Sequence, residues 1–142
     1  MSSPNALVVG LGSIGQRHAR VLGELGHHVA TVSRRGSGDY TSVAGAVAGS
    51  NPAYAVVATE TAAHAGTLQE LADADFRGTV LVEKPLFAKA GPAPDYPFDR
   101  LVVGYNLRFH PVMTAFAERL RGRRAITVSA AWFIPVERGQ PM

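Results

Sequence analysis

The chain has 142 residues, 46% hydrophobic and 18% charged, with 15 glycines, nine prolines and no cysteine, which is a globular composition rather than a disordered or fibrous one. Without cysteine it has no disulfide framework, thiolate metal site or thiol nucleophile, and no apolar run reaches the roughly 18 residues that a membrane span needs. Of the 14 basic residues behind the formal charge of +3, only Lys84 and Lys89 are lysines, so the basic side is guanidinium, which grips phosphate with paired hydrogen bonds. The N-terminal MSSPN lacks the basic and apolar regions of a secretion signal, and the chain reads as cytoplasmic.

The apolar run Ala6 to Val9 enters glycines at 10, 12 and 15, after which Ile14, His18, Val21, Leu22 and Leu25 recur at helical spacing until Gly26. This is strand, turn, helix. His28 to Ser33 reads as a second strand, Ser42 to Ala48 as a short helix, and Tyr54 to Ala58 as a third strand too apolar to be half exposed. Thr61 to Asp73 places Ala65, Leu68 and Ala72 on one helical face, and Thr79 to Val82 returns as a fourth strand. The three prolines of FAKAGPAPDYPF, residues 87–98, exclude a regular helix and predict an extended connection. Leu101 to Tyr105 is a fifth strand. His110-Pro111 then opens a helix with Met113, Phe116, Ala117 and Leu120 as its stripe and Gly122 as its stop. Ala125 to Ile134 carries Ile126, Val128, Ala130, Trp132 and Ile134 on one face of a last strand.

Strands alternating with helices predict an α/β fold, a doubly wound and mostly parallel sheet whose ligands bind at the carboxyl ends of the strands. Gly10, Gly12 and Gly15 form GxGxxG at the first of those ends. The first glycine makes a tight turn, the second lets backbone approach a pyrophosphate, and the third lets the helix pack close to its strand. The helix N-terminus adds unpaired N–H groups and partial positive charge. An acidic side chain at the end of the second strand would hold a ribose 2'-hydroxyl. Ser33-Arg34-Arg35 stands there instead, and paired arginines suit a 2'-phosphate, so NADP is favoured over NAD. The competing readings are a plain tight turn and two solvated arginines.

His18 shares a face with apolar residues and reads as packed at the boundary of helix and sheet. His64, near the mouth of the sheet, is a candidate contributor to the cofactor site. Arg119, Arg121, Arg123 and Arg124 cluster at a helix end, where cations offset the dipole. Without interleaved aromatics they do not point to nucleic acid.

The glycine turn, ATETAAH at 58–64, VEKPL at 82–86 and VGYNLRFHP at 103–111 together resemble the Gfo/Idh/MocA family of NAD(P)-dependent oxidoreductases, in order from about residue 6 to residue 134. The resemblance implies a Rossmann domain of an enzyme acting on hydroxyl and keto groups of sugars, cyclitols and related small molecules. It implies that Lys84 lies beside nicotinamide and substrate as the catalytic group, oriented by Glu83 and presented by a turn at Pro85, with a raised chance of a cis Lys84-Pro85 bond. Asn106 and Arg108 match the family's Asn-x-Arg pattern, although a polar loop explains them too. The candidate cofactor contacts are therefore Gly10, Gly12, Ser13, Ile14, Gly15, Ser33, Arg34, Arg35, Thr59, His64, Glu83, Lys84, Pro85, Asn106 and Arg108, with no metal ligands. Two departures stand out. Glu60 replaces the family's usual proline, and the connection after Lys84 lacks the family's helix, which would leave part of one sheet face uncovered.

Family members are usually more than twice this length. The expectation is a dinucleotide-binding domain at 1–124 and, at 125–142, the first strand of a missing α+β substrate domain. That strand is expected to dock on its own domain, to pair with another chain, either a second copy or a complementary half, or to be poorly held. The alternative function is a non-catalytic dinucleotide-binding module. An S-adenosylmethionine enzyme with the same glycine turn would leave Glu-Lys-Pro without a role.

Overall fold

The computed structural model describes residues 5–122, which fall into two compact units, 5–105 and 106–122. The expected boundary at 124/125 and the expected strand at 125–134 lie outside the described residues.

In the first unit, β1 (Asn5–Val9), β2 (His28–Val32), β3 (Tyr54–Val57), β4 (Thr79–Val82) and β5 (Arg100–Val103) form one sheet in the order β2-β1-β3-β4-β5. Every pairing is parallel, with Val9 beside Val32 and Val57, and Val57 beside Val82. The order reverses direction between β1 and β3, and ligands of such sheets bind outside the carboxyl ends at that switch. Helices α1 (Ser13–Glu24), α2 (Val43–Ser50) and α3 (His64–Asp73) join the strands, and a 3-10 turn, Thr61–Ala63, leads into α3. Ser42 caps α2 by accepting from the Gly45 N–H at 3.2 Å.

Side chains alternate across the strands as a period of two requires. Leu7, Val9, Ala55, Val57, Val80 and Val82 share one core with Val43 and Ala46 of α2 and with Leu68 and Leu71 of α3. Ala6, Val8 and Val56 are equally buried but do not belong to that core. The third and fifth strands end earlier than the sequence pattern predicts, although their next residues still bond to a neighbour. The N–H of Ala58 donates to Val9 O at 2.8 Å and that of Gly104 to Val82 O at 2.8 Å, so the ladder persists while the chain turns away.

The stripe predicted for α1 is only partly buried. Ile14, Val21 and Leu25 are 45%, 38% and 70% exposed, and Gly15 is the one buried residue of the helix. The helix meets the sheet through its glycine and its half-buried His18, Ala19 and Leu22, so the contact face is rotated from the one that apolar spacing selects.

The connection from β4 to β5 has no helix, as its prolines require. It does not leave the sheet face bare. Leu86, Phe87, Tyr96 and Phe98 pack against the core in place of a helix. The Tyr96 and Phe98 rings stack with centroids 5.4 Å apart, and Phe98 meets Phe76 at 6.1 Å. Phe98→Ala should therefore cost about 2 kcal/mol in urea unfolding; an unchanged midpoint would remove the strap from the core.

The described part of the second unit is a 3-10 turn, Asn106–Phe109, followed by α4 (Pro111–Leu120). Pro111 occupies the first turn, where its missing N–H costs nothing, and the His110 ring accepts from the Val112 N–H. No residue of α4 is buried. Its expected stripe is largely exposed, with Met113 at 37% and Phe116 at 38%.

Candidate functional site

The site begins where β1 ends. Gly10 has φ +95°, a backbone state that side chains disfavour, and a Cβ there would lie 2.8 Å from Ala58 O. A Cβ on Gly15 would lie 1.8 Å from Gly10 O, so α1 rests directly on the turn. Gly12 differs. Its backbone is ordinary, at φ −66° and ψ −178°, and a Cβ there would meet nothing within 4 Å. Nothing inside the chain requires glycine at 12, and the space beside it is open. Gly12 is also the N-cap of α1, and no side chain caps the helix, so the first-turn N–H groups are left for an outside acceptor.

That open space belongs to a cavity of about 350 Å³, within the range of small-ligand sites. Its floor is the ends of three strands, Val9 to Gly12, Val32 to Ser33 and Ala58 to Glu60. Arg34, Arg35, Ser37, Thr41, Ser42, Val43, Ala63 and Glu70 complete the wall. The Gly10 N–H donates to Val32 O at 3.0 Å, which ties the glycine turn to the end of β2.

The loop after β2 closes on itself. Ser33 Oγ accepts from the Arg35 N–H at 3.3 Å and lies 2.9 Å from Ser37 Oγ, and the Gly36 N–H donates to Ser33 O at 3.1 Å. Two hydroxyls and two guanidinium groups therefore stand at one end of the cavity. They are not equivalent. Arg34 Nη2 donates to Glu70 Oε1 on α3 at 2.5 Å, whereas Arg35 has no ion-pair partner among the described residues.

Thr59 lines the cavity, and among the described residues its buried Oγ1 has no hydrogen-bond partner. A buried hydroxyl without a partner is costly unless a ligand supplies one. The orphaned Thr59 hydroxyl, the open side of Gly12 and the arginines fit a dinucleotide, whose phosphates, riboses and charge need those groups.

His64 does not line the cavity. It is 1% exposed, with Nε2 3.0 Å from Thr59 O and Nδ1 3.0 and 3.2 Å from Pro85 O and Leu86 O. Carbonyls only accept, so the ring donates, and it clamps the loop after β3 to the loop after β4. Its role in the site is to hold Thr59 and Pro85 in place.

Glu83 follows β4 directly, and its N–H donates to Val57 O at 2.9 Å. Its Oε1 accepts from His18 Nε2 at 2.7 Å, and its Oε2 lies 3.4 Å from the Lys84 N–H. Thus α1 is tied to the Glu-Lys-Pro turn. The Lys84-Pro85 bond is cis, as the resemblance implies. Lys84 is exposed and, like Ser13, Ile14, Glu83 and Pro85, is not a lining residue of the cavity. Asn106 and Arg108 belong to the second unit, where the Arg108 guanidinium lies 5.4 Å from the centroid of the Phe109 ring.

Three contacts escaped the sequence. Ser37 needs the loop closed, His18 with Glu83 spans 65 positions, and Arg34 with Glu70 spans 36, and no local pattern signals pairs so far apart. Among the described residues no cluster of His, Asp and Glu side chains is arranged to hold a metal, and no helix is long and apolar enough to cross a membrane.

No family model and no curated protein matches the chain. Solved structures do. The chain is similar to UDP-N-acetylglucosamine 3-dehydrogenase GnnA from Acidithiobacillus ferrooxidans, with TM-score 0.66 and 20% identity over 84% of this chain and 44% of that one. It is similar to the WlbA (WbpB) dehydrogenase from Thermus thermophilus in complex with NAD and α-ketoglutarate, with TM-score 0.62 and 20% identity over 86% and 48%. It is also similar to the apo scyllo-inositol dehydrogenase from Lactobacillus casei, with TM-score 0.63 and 15% identity over 85% and 41%. The chain spans less than half the length of each of these three. The likeness shows a Rossmann-like α/β fold that corresponds to one part of those dehydrogenases.

Proposed function

We propose that residues 5–105 form a nicotinamide-dinucleotide-binding domain of an oxidoreductase that transfers hydride to or from hydroxyl and keto carbons of sugar- or cyclitol-like substrates. Gly12 carries this reading. Among the described residues nothing requires glycine there, and it opens at a helix N-terminus into a cavity where the Thr59 hydroxyl and Arg35 find no partner. The dehydrogenases that share the fold support it, as does the resemblance to the Gfo/Idh/MocA family. A bound nicotinamide supplies the hydride acceptor or donor. The chain supplies phosphate contacts at Gly12 and the first turn of α1, ribose contacts at the loop after β2 and at Thr59, and the side-chain amine of Lys84. Hydride leaves a carbon only as its hydroxyl proton leaves too, so Lys84 acts as the general base and returns the proton in the reverse direction. Glu83, held by His18, orients the turn that presents it.

NADP is favoured over NAD because Arg35 has no ion-pair partner among the described residues and stands beside Ser33 and Ser37, a set that suits a 2'-phosphate. Titrating the full chain with NADPH and NADH tests the reading. Saturable binding of at least one is expected, and binding of neither overturns it. Replacing Arg34 and Arg35 with alanine should weaken NADPH by about tenfold or more and NADH far less, at about 1.5–3 kcal/mol per charge-assisted contact; equal loss for both would reject the 2'-phosphate assignment.

A second reading, a dinucleotide-binding module without catalysis, is favoured by one observation: Lys84 is not among the residues that line the cavity. NADH binding that sharpens on adding a separately made substrate domain, with turnover, would decide for the enzyme.

A further inference from the structure

Four charged side chains line the cavity, Arg34, Arg35, Glu60 and Glu70, so two cations face two carboxylates and the wall is formally neutral. The end of β2 lacks the acid that would accept from a ribose 2'-hydroxyl, yet a carboxylate reaches the same place from α3. Glu70 Oε1 takes a hydrogen bond from Arg34 Nη2 at 2.5 Å, and both side chains stay partly open to solvent, at 44% and 60%. One of the two guanidiniums that would receive a 2'-phosphate is therefore already held by an internal anion.

We propose that Glu70 sets the balance between the phosphorylated and the unphosphorylated dinucleotide, an inference that rests on the dinucleotide-binding reading above. Glu70 works against a 2'-phosphate in two ways. It occupies Arg34, and it adds negative charge where the phosphate, itself near −2, would sit. Toward a ribose with a free 2'-hydroxyl it is harmless, because a carboxylate accepts from hydroxyls. The effect is moderate in size, since the pair is exposed and such pairs are worth at most about 1 kcal/mol, or about fivefold in an equilibrium.

The test compares the wild-type chain with Glu70→Gln and with Glu70→Gln in an Arg34→Gln background, titrated with NADPH, NADH, adenosine 2',5'-bisphosphate and 5'-AMP. Glu70→Gln keeps the shape of an exposed side chain, and an unchanged thermal midpoint verifies the fold. The expected result is binding of NADPH and of the bisphosphate tightened about fivefold, with NADH and 5'-AMP held within about twofold. In the Arg34→Gln background the gain should shrink, because part of it comes from releasing that arginine. Binding of NADH and NADPH at a ratio that Glu70→Gln leaves unchanged overturns this inference alone. Failure of all four probes to bind overturns the dinucleotide reading and this inference with it.

Discussion

Gly15→Ala is expected to unfold much of the population at temperatures where the wild type is native, whereas Gly12→Ala keeps its stability and loses its ligand. A methyl on Gly15 would stand 1.8 Å from the Gly10 carbonyl oxygen; the methyl is fixed to the helix backbone and the oxygen is backbone, so neither can swing aside. Relief requires α1 to lift from the turn, which separates the helix from β1 and β3. A cost of about 3 kcal/mol or more follows, since overpacking that moves backbone lies at the upper end of its usual range. In a chain of this size that lowers the melting temperature by about 10 °C. At Gly12 the methyl meets nothing and the backbone angles are ordinary, so the folded state loses under about 1 kcal/mol, mostly as a poorer N-cap. The methyl would instead stand where a pyrophosphate must approach, and binding should fall by about tenfold or more. Gly23→Ala, in the same helix with open space around it, is the control and should stabilise by about 0.5–1 kcal/mol. Calorimetry and NADH titration of the three variants separate the roles. A Gly15→Ala protein that melts with the wild type would refute the close packing, and a Gly12→Ala protein that binds normally would refute the phosphate approach.

The glycine turn was legible because each of its requirements is local. Spacing, the preceding apolar run and the following helical stripe lie within about 20 residues, and the structure gives the three glycines three different surroundings. The strands were legible for the same reason, from apolar runs with turn signals between them. What the sequence pattern misjudged depends on three-dimensional neighbours. The α1 stripe was expected to be buried, but Ile14 and Leu25 face solvent because the helix approaches the sheet through Gly15, which carries no hydrophobicity to signal it. The proline-rich strap is extended as its prolines require, yet it covers the sheet face, because Tyr96 stacks on Phe98 and Phe98 meets Phe76 at a tilt, contacts that no local pattern signals. The two arginines after β2 are legible in the sequence, but their inequivalence is not, since it comes from Glu70 on another element.

His64→Phe should cost about 2–4 kcal/mol and loosen the segment that carries Lys84. The ring is buried and is the hydrogen-bond partner of three carbonyls, those of Thr59, Pro85 and Leu86. Phenylalanine fills a comparable volume, so cavity formation contributes little, and the loss comes from buried acceptors left without a donor, at about 1–3 kcal/mol each when wholly unpaired. Nδ1 faces two carbonyls and one N–H cannot fully satisfy both, which places the total in the lower half of the sum. The consequence is directional. Thr59 lies at the cavity wall and Pro85 follows Lys84 directly, so releasing the clamp frees both the orphaned hydroxyl and the ammonium from the sheet edge that positions them. Urea unfolding measures the first effect, and the rate of proteolytic cleavage within residues 87–95 measures the second, with acceleration expected well below the unfolding midpoint. If stability falls while cleavage of the strap keeps its wild-type rate, then His64 is only a core residue. If neither changes, the three carbonyls find other donors and the clamp does not exist.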